Sequence, residues 1–266
     1  MRRVRLRFGP LARVRTLGDA FVLVEADRRG PLFDQAAALL EREIENLYGH
    51  VSKRPELGVT IMLFSSRHAY EAFCERQGGD PRRECGFFRR GTREITADGS
   101  HVAVALPTLT HEVVHPILES DFPRIPLWFD DGVAALLESP ASPDDAGVHG
   151  ETRNWRQARL QLALASKVEQ VSTRLDALFA MSTQAFRASS GEGDAATTNE
   201  DLRMLHHAMA RSVCAWMDHQ GKLWPFFQAW RDTFPMDPTG EKAFEKVMGS
   251  TPRALNGKWV EWAKSR

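Results

Sequence analysis

The chain has no uninterrupted apolar stretch of roughly 18 residues, which excludes a membrane-spanning helix. It has only three cysteines, Cys74, Cys85 and Cys214, scattered and odd in number, with no Cys-x-x-Cys pair. That pattern excludes a disulfide framework. Buried, unpaired thiols are the expectation, with a Cys74–Cys85 bridge as the alternative. It has no charge excess either: Lys+Arg and Asp+Glu are both 35, so no global field draws nucleic acid or an anionic membrane. The Arg-rich start, Met1 to Leu11, is followed by no apolar core and therefore lacks the middle region of a secretory signal. As it stands the chain is expected in the cytoplasm; a true start further upstream would make it an exported protein.

What is present is ample core material. Of 266 residues, 42% are hydrophobic and 26% charged, values of a soluble globular protein built as one large domain or two small ones. One stretch dominates: Thr108-Leu109-Thr110-His111-Glu112-Val113-Val114-His115-Pro116. On a helix, residues four apart lie one turn above each other on the same face. His111 and His115 then aim two imidazoles at one point, which suits a Zn²⁺ ion seeking about four nitrogen, sulfur or oxygen ligands. Glu112 stands beside the first imidazole, where it can take a proton from a water that the ion activates. The bland alternative is the polar face of an ordinary surface helix. Pro116 lacks the N–H that would bond back to Glu112, so the helix is expected to kink or stop after His115.

Just downstream stands Ile125-Pro126-Leu127-Trp128-Phe129-Asp130-Asp131-Gly132-Val133-Ala134-Ala135-Leu136-Leu137-Glu138. With His-Glu-x-x-His before it, this resembles the HExxH metallopeptidases of the gluzincin, or peptidase-MA-like, superfamily, in an uncharacterised bacterial branch. Those proteins carry a second helix opening P-x-W-[LF]-x-E-G-x-A. Pro126, Trp128, Phe129, Gly132 and Ala134 match it. The resemblance implies that Asp131 is the third zinc ligand, although relatives have Glu there and Asp is one methylene shorter. Asp130 points about 100° away around the helix and is the weaker candidate. Glu138 would orient a ligand histidine. The later segment from Ala210 to Phe234 is similar to the C-terminal helices of the same proteins, with His207 at their Tyr position. The resemblance makes His207, or its neighbour His206, a candidate donor to the oxyanion of the transition state; Arg211 is another. The Gly-x-Met-x-Asn motif of metal-dependent aminopeptidases is absent, which leans toward an endopeptidase.

Taken in order, Ala20–Val24 reads as a strand, 32–50 as an amphipathic helix and Val59–Phe64 as a central strand. Ser65 or Ser66 caps a helix running to Gln77, which Gly78–Pro81 ends. Cys85–Thr96 and His101–Leu106 read as two strands joined by a turn at Asp98-Gly99. The resemblance makes the second of these the edge strand of the cleft, with Val102-Ala103-Val104 as the segment that pairs with an extended substrate. Residues 139–151, rich in Pro, Asp, Gly and Ala, read as a loop and domain boundary, and contain a solvated His149. Helices are expected from Trp155 to Val168, in one or two short pieces around Leu175–Phe186, and over Glu200–Gln220, Leu223–Phe234, Glu241–Met248 and the C-terminus. Ser189–Asn199 reads as a loop. The seven tryptophans are expected in the core.

The expected fold is therefore α+β. A zincin-like (thermolysin-like) mixed sheet with the metal helix and the third-ligand helix occupies residues 1–140, and an all-helical subdomain occupies 151–266. The expected function is a zinc-dependent metallopeptidase acting on a peptide or protein substrate, with His111, His115 and Asp131 on Zn²⁺ and Glu112 as general base. The alternative is a catalytically weakened relative serving as a binding or scaffold domain, which Asp131 favours.

Overall fold

Val59–Phe64, five apolar residues and Thr60, with three of the six β-branched, make the middle strand of a five-stranded sheet. The computed structural model describes residues 7–9, 12–27, 29–77, 85–138, 155–166, 169, 173–190 and 197–266. Chain contacts divide it into two units, Met1–Pro123 and Arg124–Arg266.

The first unit is α+β. Its strands are β1 (Val14–Leu17), β2 (Phe21–Glu25), β3 (Val59–Phe64), β4 (Gly86–Arg89) and β5 (Glu94–Asp98), in the order β1-β2-β3-β5-β4. The inner strands β2, β3 and β5 run parallel, and the outer β1 and β4 pair antiparallel. The sheet is thus mixed. Three helices cover it: α1 (Phe33–Tyr48), α2 (Arg67–Arg76) and α3 (Val102–Asp121). Val24, Met62 and Phe64 on one face pack with Tyr70, Phe73 and Cys74 of α2. Residues alternate faces along a strand, so Leu63 belongs to the other face, and its side chain closes on Gly99 at the entrance to α3.

Several expectations hold closely. The helix expected at 32–50 is α1, and β3 is central. Of the two candidate caps, Ser66 is the one used, its hydroxyl accepting from the Ala69 amide at 3.4 Å. The stretch ending at Val24 is a hairpin, β1 and β2 turning at Gly18, whose φ of +54° favours glycine.

Two expectations are overturned. Residues 102–106 are not a strand: Val102 opens α3, and the Val104 and Ala105 amides donate to the His101 carbonyl at 3.1 and 2.9 Å. The Val-x-Val alternation imitates a strand, but Ala105, Leu109, Val113 and Ile117 form a fully buried helical stripe that begins upstream of the histidines. The hairpin turn consequently lies at 90–93, between β4 and β5, with Arg93 at φ +55°. Nor does Pro116 stop the helix, which runs on to Asp121. One backbone bond is lost at Pro116, whereas Ile117 and Leu118 are fully buried and the Asp121 carboxylate accepts from the Ser52 and Lys53 amides at 3.0 and 3.1 Å. Those contacts outweigh the break.

The second unit is helical. It contains α4 (Leu127–Leu137), α5 (Trp155–Ala165), α6 (Leu175–Phe179), α7 (Thr183–Phe186), α8 (Glu200–His219), α9 (Leu223–Thr233), α10 (Glu241–Met248) and α11 (Pro252–Lys264). The expected loop at Ser189–Asn199 holds two short strands at its ends, β6 (Ser189–Ser190) and β7 (Thr197–Thr198), which pair antiparallel. The expected boundary loop at 139–151, His149 included, lies outside the described residues. Asn199 caps α8 by accepting from the Leu202 amide at 3.1 Å, and Gly221 follows its end at φ +65°. Trp128, Phe129, Phe179, Phe226, Trp230 and Phe244 form an aromatic core whose ring centroids lie 4.9 to 6.3 Å from their neighbours. Trp216, Trp259, Trp128 and Trp230 are buried, whereas Trp155 is exposed. Among the described residues no helix is long and apolar enough to cross a membrane.

Candidate functional site

Helix α3 turns a buried side toward the sheet and α1, leaving His111 and His115 half-buried on its rim. Their rings stand one turn apart, with centroids at 5.0 Å and planes at 74°. Glu112 is buried, and its Oε2 lies 3.9 Å from His115 Nε2. One donor atom from each of His111, Glu112 and His115 falls within 4.8 Å of the others. Two ligands on one tetrahedral zinc stand about 3.4 Å apart when the bonds are about 2.1 Å. The donor set, two imidazoles and a carboxylate with atoms within 4.8 Å of one another, could hold a divalent cation.

Two features fix this helix. The first is Gly86 on β4: a Cβ there would stand 2.4 Å from the Thr108 methyl and 2.7 Å from the Thr96 carbonyl oxygen. Only glycine lets β4 approach α3 this closely, one turn before His111. The second is Asp98 at the end of β5. Burial opposes ionisation of its carboxyl, but hydrogen bonds from Arg67 and Ser100 outweigh that and hold it below the ordinary carboxylate range. The Arg67 guanidinium donates to it at 2.9 Å and the Ser100 amide at 3.0 Å. The Gly99 amide donates to the Phe64 carbonyl at 2.6 Å, so the β5–α3 turn is tied at both ends.

The sheet edge beside α3 is β4, not residues 102–104, which are exposed on the first turn of the helix. The Asp98 amide donates to the Cys85 carbonyl. Bonded pairs recur at every second residue of an antiparallel ladder, so Gly86 and Phe88 direct their backbone groups outward.

In the second unit, Asp131 on α4 and His207 on α8 meet directly: Asp131 Oδ2 lies 2.6 Å from His207 Nδ1. Both side chains are largely buried, at 13% and 16% exposed, and the Phe186 ring packs 4.7 Å from the His207 ring. Gly132 makes the meeting possible. A Cβ there would strike the Ala210 carbonyl oxygen and the Cys214 sulfur. Asp130, the neighbouring carboxylate, is fully buried.

The remaining candidates have structural partners. His206 is buried, its Nδ1–H donating to the Phe186 carbonyl at 3.0 Å, and burial pushes its pKa down. Arg211 donates from Nε to the Ala135 carbonyl at 3.2 Å, and burial likewise lowers its pKa. Glu138 takes two hydrogen bonds from Arg156, one of them at 2.9 Å, an ion pair joining the end of α4 to α5. Cys74 and Cys214 are buried, as expected; Cys85 is exposed, and no disulfide joins it to Cys74.

Sequence reasoning missed Gly86, Asp98, Asp121 and Arg156. Gly86 carried a usable signal, because a glycine opening a strand often marks close backbone approach. No family model matches the chain, and no curated protein matches it in sequence.

Proposed function

We propose that the chain is a zinc-dependent peptidase whose α3 helix carries the metal-binding and proton-transfer groups. The observation that supports this reading is the convergence of His111, Glu112 and His115 on one point of a helix anchored by Gly86, Asp98 and Asp121. His111 and His115 would hold Zn²⁺, and Asp131 is the third ligand in the proposal, on the strength of the sequence resemblance. A zincin-like fold for the first unit is part of the same proposal, supported by the mixed sheet and the position of α3 directly after β5.

A Zn²⁺ ion held by His111 and His115 would supply Lewis acidity, making a water more acidic and a carbonyl more electrophilic. Glu112 would act as the general base, accepting a proton from water and delivering it to the leaving amine. Its burial beside His115 keeps the carboxylate close to the reacting atoms and away from competing solvent. The outward backbone groups of Gly86 and Phe88 suit an extended peptide, which would add to the sheet as a further strand. β4 thus takes the role first expected of Val102–Val104.

Asp131, shorter than the usual Glu, favours the second reading, a binding or scaffold protein with a weakened centre. Metal analysis of the purified chain separates the two. The peptidase reading expects one zinc per chain, loss of that zinc in His111→Ala, and chelator-sensitive cleavage of casein that Glu112→Gln abolishes without losing metal. A folded chain that takes up no zinc from buffer overturns it.

A further inference from the structure

Strand β4 lies at the edge of the sheet and runs alongside α3. At one end Gly86 meets Thr108, and at the other Arg90 Nε lies 3.4 Å from Glu119 Oε2. Phe88 stands midway, level with the turn of Glu112 and His115. Side chains alternate along a strand, so Gly86, Phe88 and Arg90 are on the α3 face, and Phe87 and Arg89 on the other. There Phe87 packs against the core under α2, and the Arg89 guanidinium lies 5.5 Å from its ring. Directly opposite Arg89 on β5 is Glu94, but that carboxylate is bonded by Arg7. Arg89 donates instead to the neutral side chain of Gln77, and among the described residues it forms no ion pair. A cation without a countercharge thus stands on the strand whose outer side is open to pairing. We propose that the edge of β4 takes extended peptides that carry an aspartate or glutamate opposite Arg89, which makes Arg89 a specificity-determining residue.

This inference deepens the peptidase reading by naming its substrate class, and rests on that reading for calling the peptide a substrate. Antiparallel pairing is the slightly stabler arrangement, and Gly86 and Phe88 would supply its hydrogen bonds. Arg89 then falls at a position without hydrogen bonds, where facing side chains come closest. Opposite charges attract across such a pair and like charges repel. A second copy of β4 is the poorer occupant: in the same arrangement it would bring Arg83, Cys85, Phe87 or another Arg89 opposite Arg89, and no carboxylate.

The test is binding of short, fluorescently labelled Val/Thr-rich peptides with one central Glu or one central Lys, read by anisotropy on the Glu112→Gln chain, which leaves them uncut. The Glu peptide is expected to bind about 2- to 20-fold more tightly than the Lys peptide. Arg89→Gln narrows that gap and Arg89→Glu inverts it, an inversion that a merely structural arginine would not give. N-methylation of the residue after the Glu blocks an amide facing β4 and is expected to abolish binding. N-methylation one residue further on blocks an amide facing away and is tolerated. The inference is overturned if no peptide binds, if the Glu and Lys peptides bind alike, if the two N-methyl peptides bind alike, or if sedimentation shows a dimer that the Glu peptide does not dissociate. A chain that binds as expected but takes up no zinc and cuts nothing upholds the role of Arg89 and removes the peptidase reading alone.

Discussion

A Cβ on Gly132 would stand 2.8 Å from the sulfur of Cys214 and 2.8 Å from the carbonyl oxygen of Ala210. The first obstacle is the end of a side chain, but the second is the backbone of α8, which no rotamer change can move. Gly132→Ala must therefore push α4 and α8 apart. Alanine improves helix propensity by about 1 kcal/mol and overpacking costs about 1–3 kcal/mol, so a net loss of up to about 2 kcal/mol is expected in urea denaturation. Adding Cys214→Ala should recover only part of it, because Ala210 remains. A Gly132→Ala chain more stable than wild type by about 1 kcal/mol, the full propensity gain, would mean that the helices are not in this contact.

The Asp98–Arg67 pair predicts a pH dependence of known sign. The folded-state pKa of Asp98 lies below its ordinary value, its hydrogen bonds outweighing the opposing burial. The contribution to stability is therefore complete above the unfolded-state pKa of about 3.9 and is lost as pH falls through the lower folded value. Asp98→Asn is expected to be less stable than wild type at neutral pH, with the gap closing on acidification below about pH 4. Denaturant titrations at several pH values check this. A gap that stays constant into strong acid would remove the carboxylate from the account.

Much of the scaffold is legible in the chain because burial repeats at a fixed period. In α1, Phe33, Ala36, Ala37, Leu40, Ile44 and Leu47 are all buried at three- and four-residue steps, and β3 is a short apolar run between turn residues. The His-Glu-x-x-His cluster is legible for the same reason, since spacing of one helical turn is itself the geometry. Val102–Leu106 misled because Val-x-Val satisfies a two-residue period, while the competing helical stripe shows only when Ala105 is read together with Leu109 and Val113. The Asp131–His207 bond spans 76 positions. Nothing local encodes it, and it depends on how two helices cross at a glycine.

Asp121 gives a separate prediction. Its carboxylate is buried and accepts from two successive amides, Ser52 and Lys53, so the last turn of α3 is tied to the loop after α1. Asp121→Ala removes both acceptors from a helix that already lacks one backbone bond at Pro116. A loss of about 1–3 kcal/mol is expected, with less in Asp121→Asn, which keeps one acceptor. Amide hydrogen exchange should show faster exchange for Ser52 and Lys53 in the alanine variant, while residues 59–64 of β3 stay protected. Unchanged exchange at Ser52 and Lys53 would mean the two bonds are not made.

The three thiols distinguish the native state in each unit. Cys74 belongs to the α2-facing core of the first unit, Cys214 is fully buried in the second, and Cys85 is exposed. Burial raises the Cys214 pKa well above the ordinary thiol value, which removes reactive thiolate as well as access. A disulfide reagent added to native protein is therefore expected to modify one thiol per chain, at Cys85, and all three after denaturation. Cys85→Ser should abolish the native reaction. If two thiols react in the native protein, tryptic mapping identifies which core has opened: Cys74 implicates the packing of α2 on the sheet, and Cys214 the α4–α8 crossing that brings Asp131 to His207.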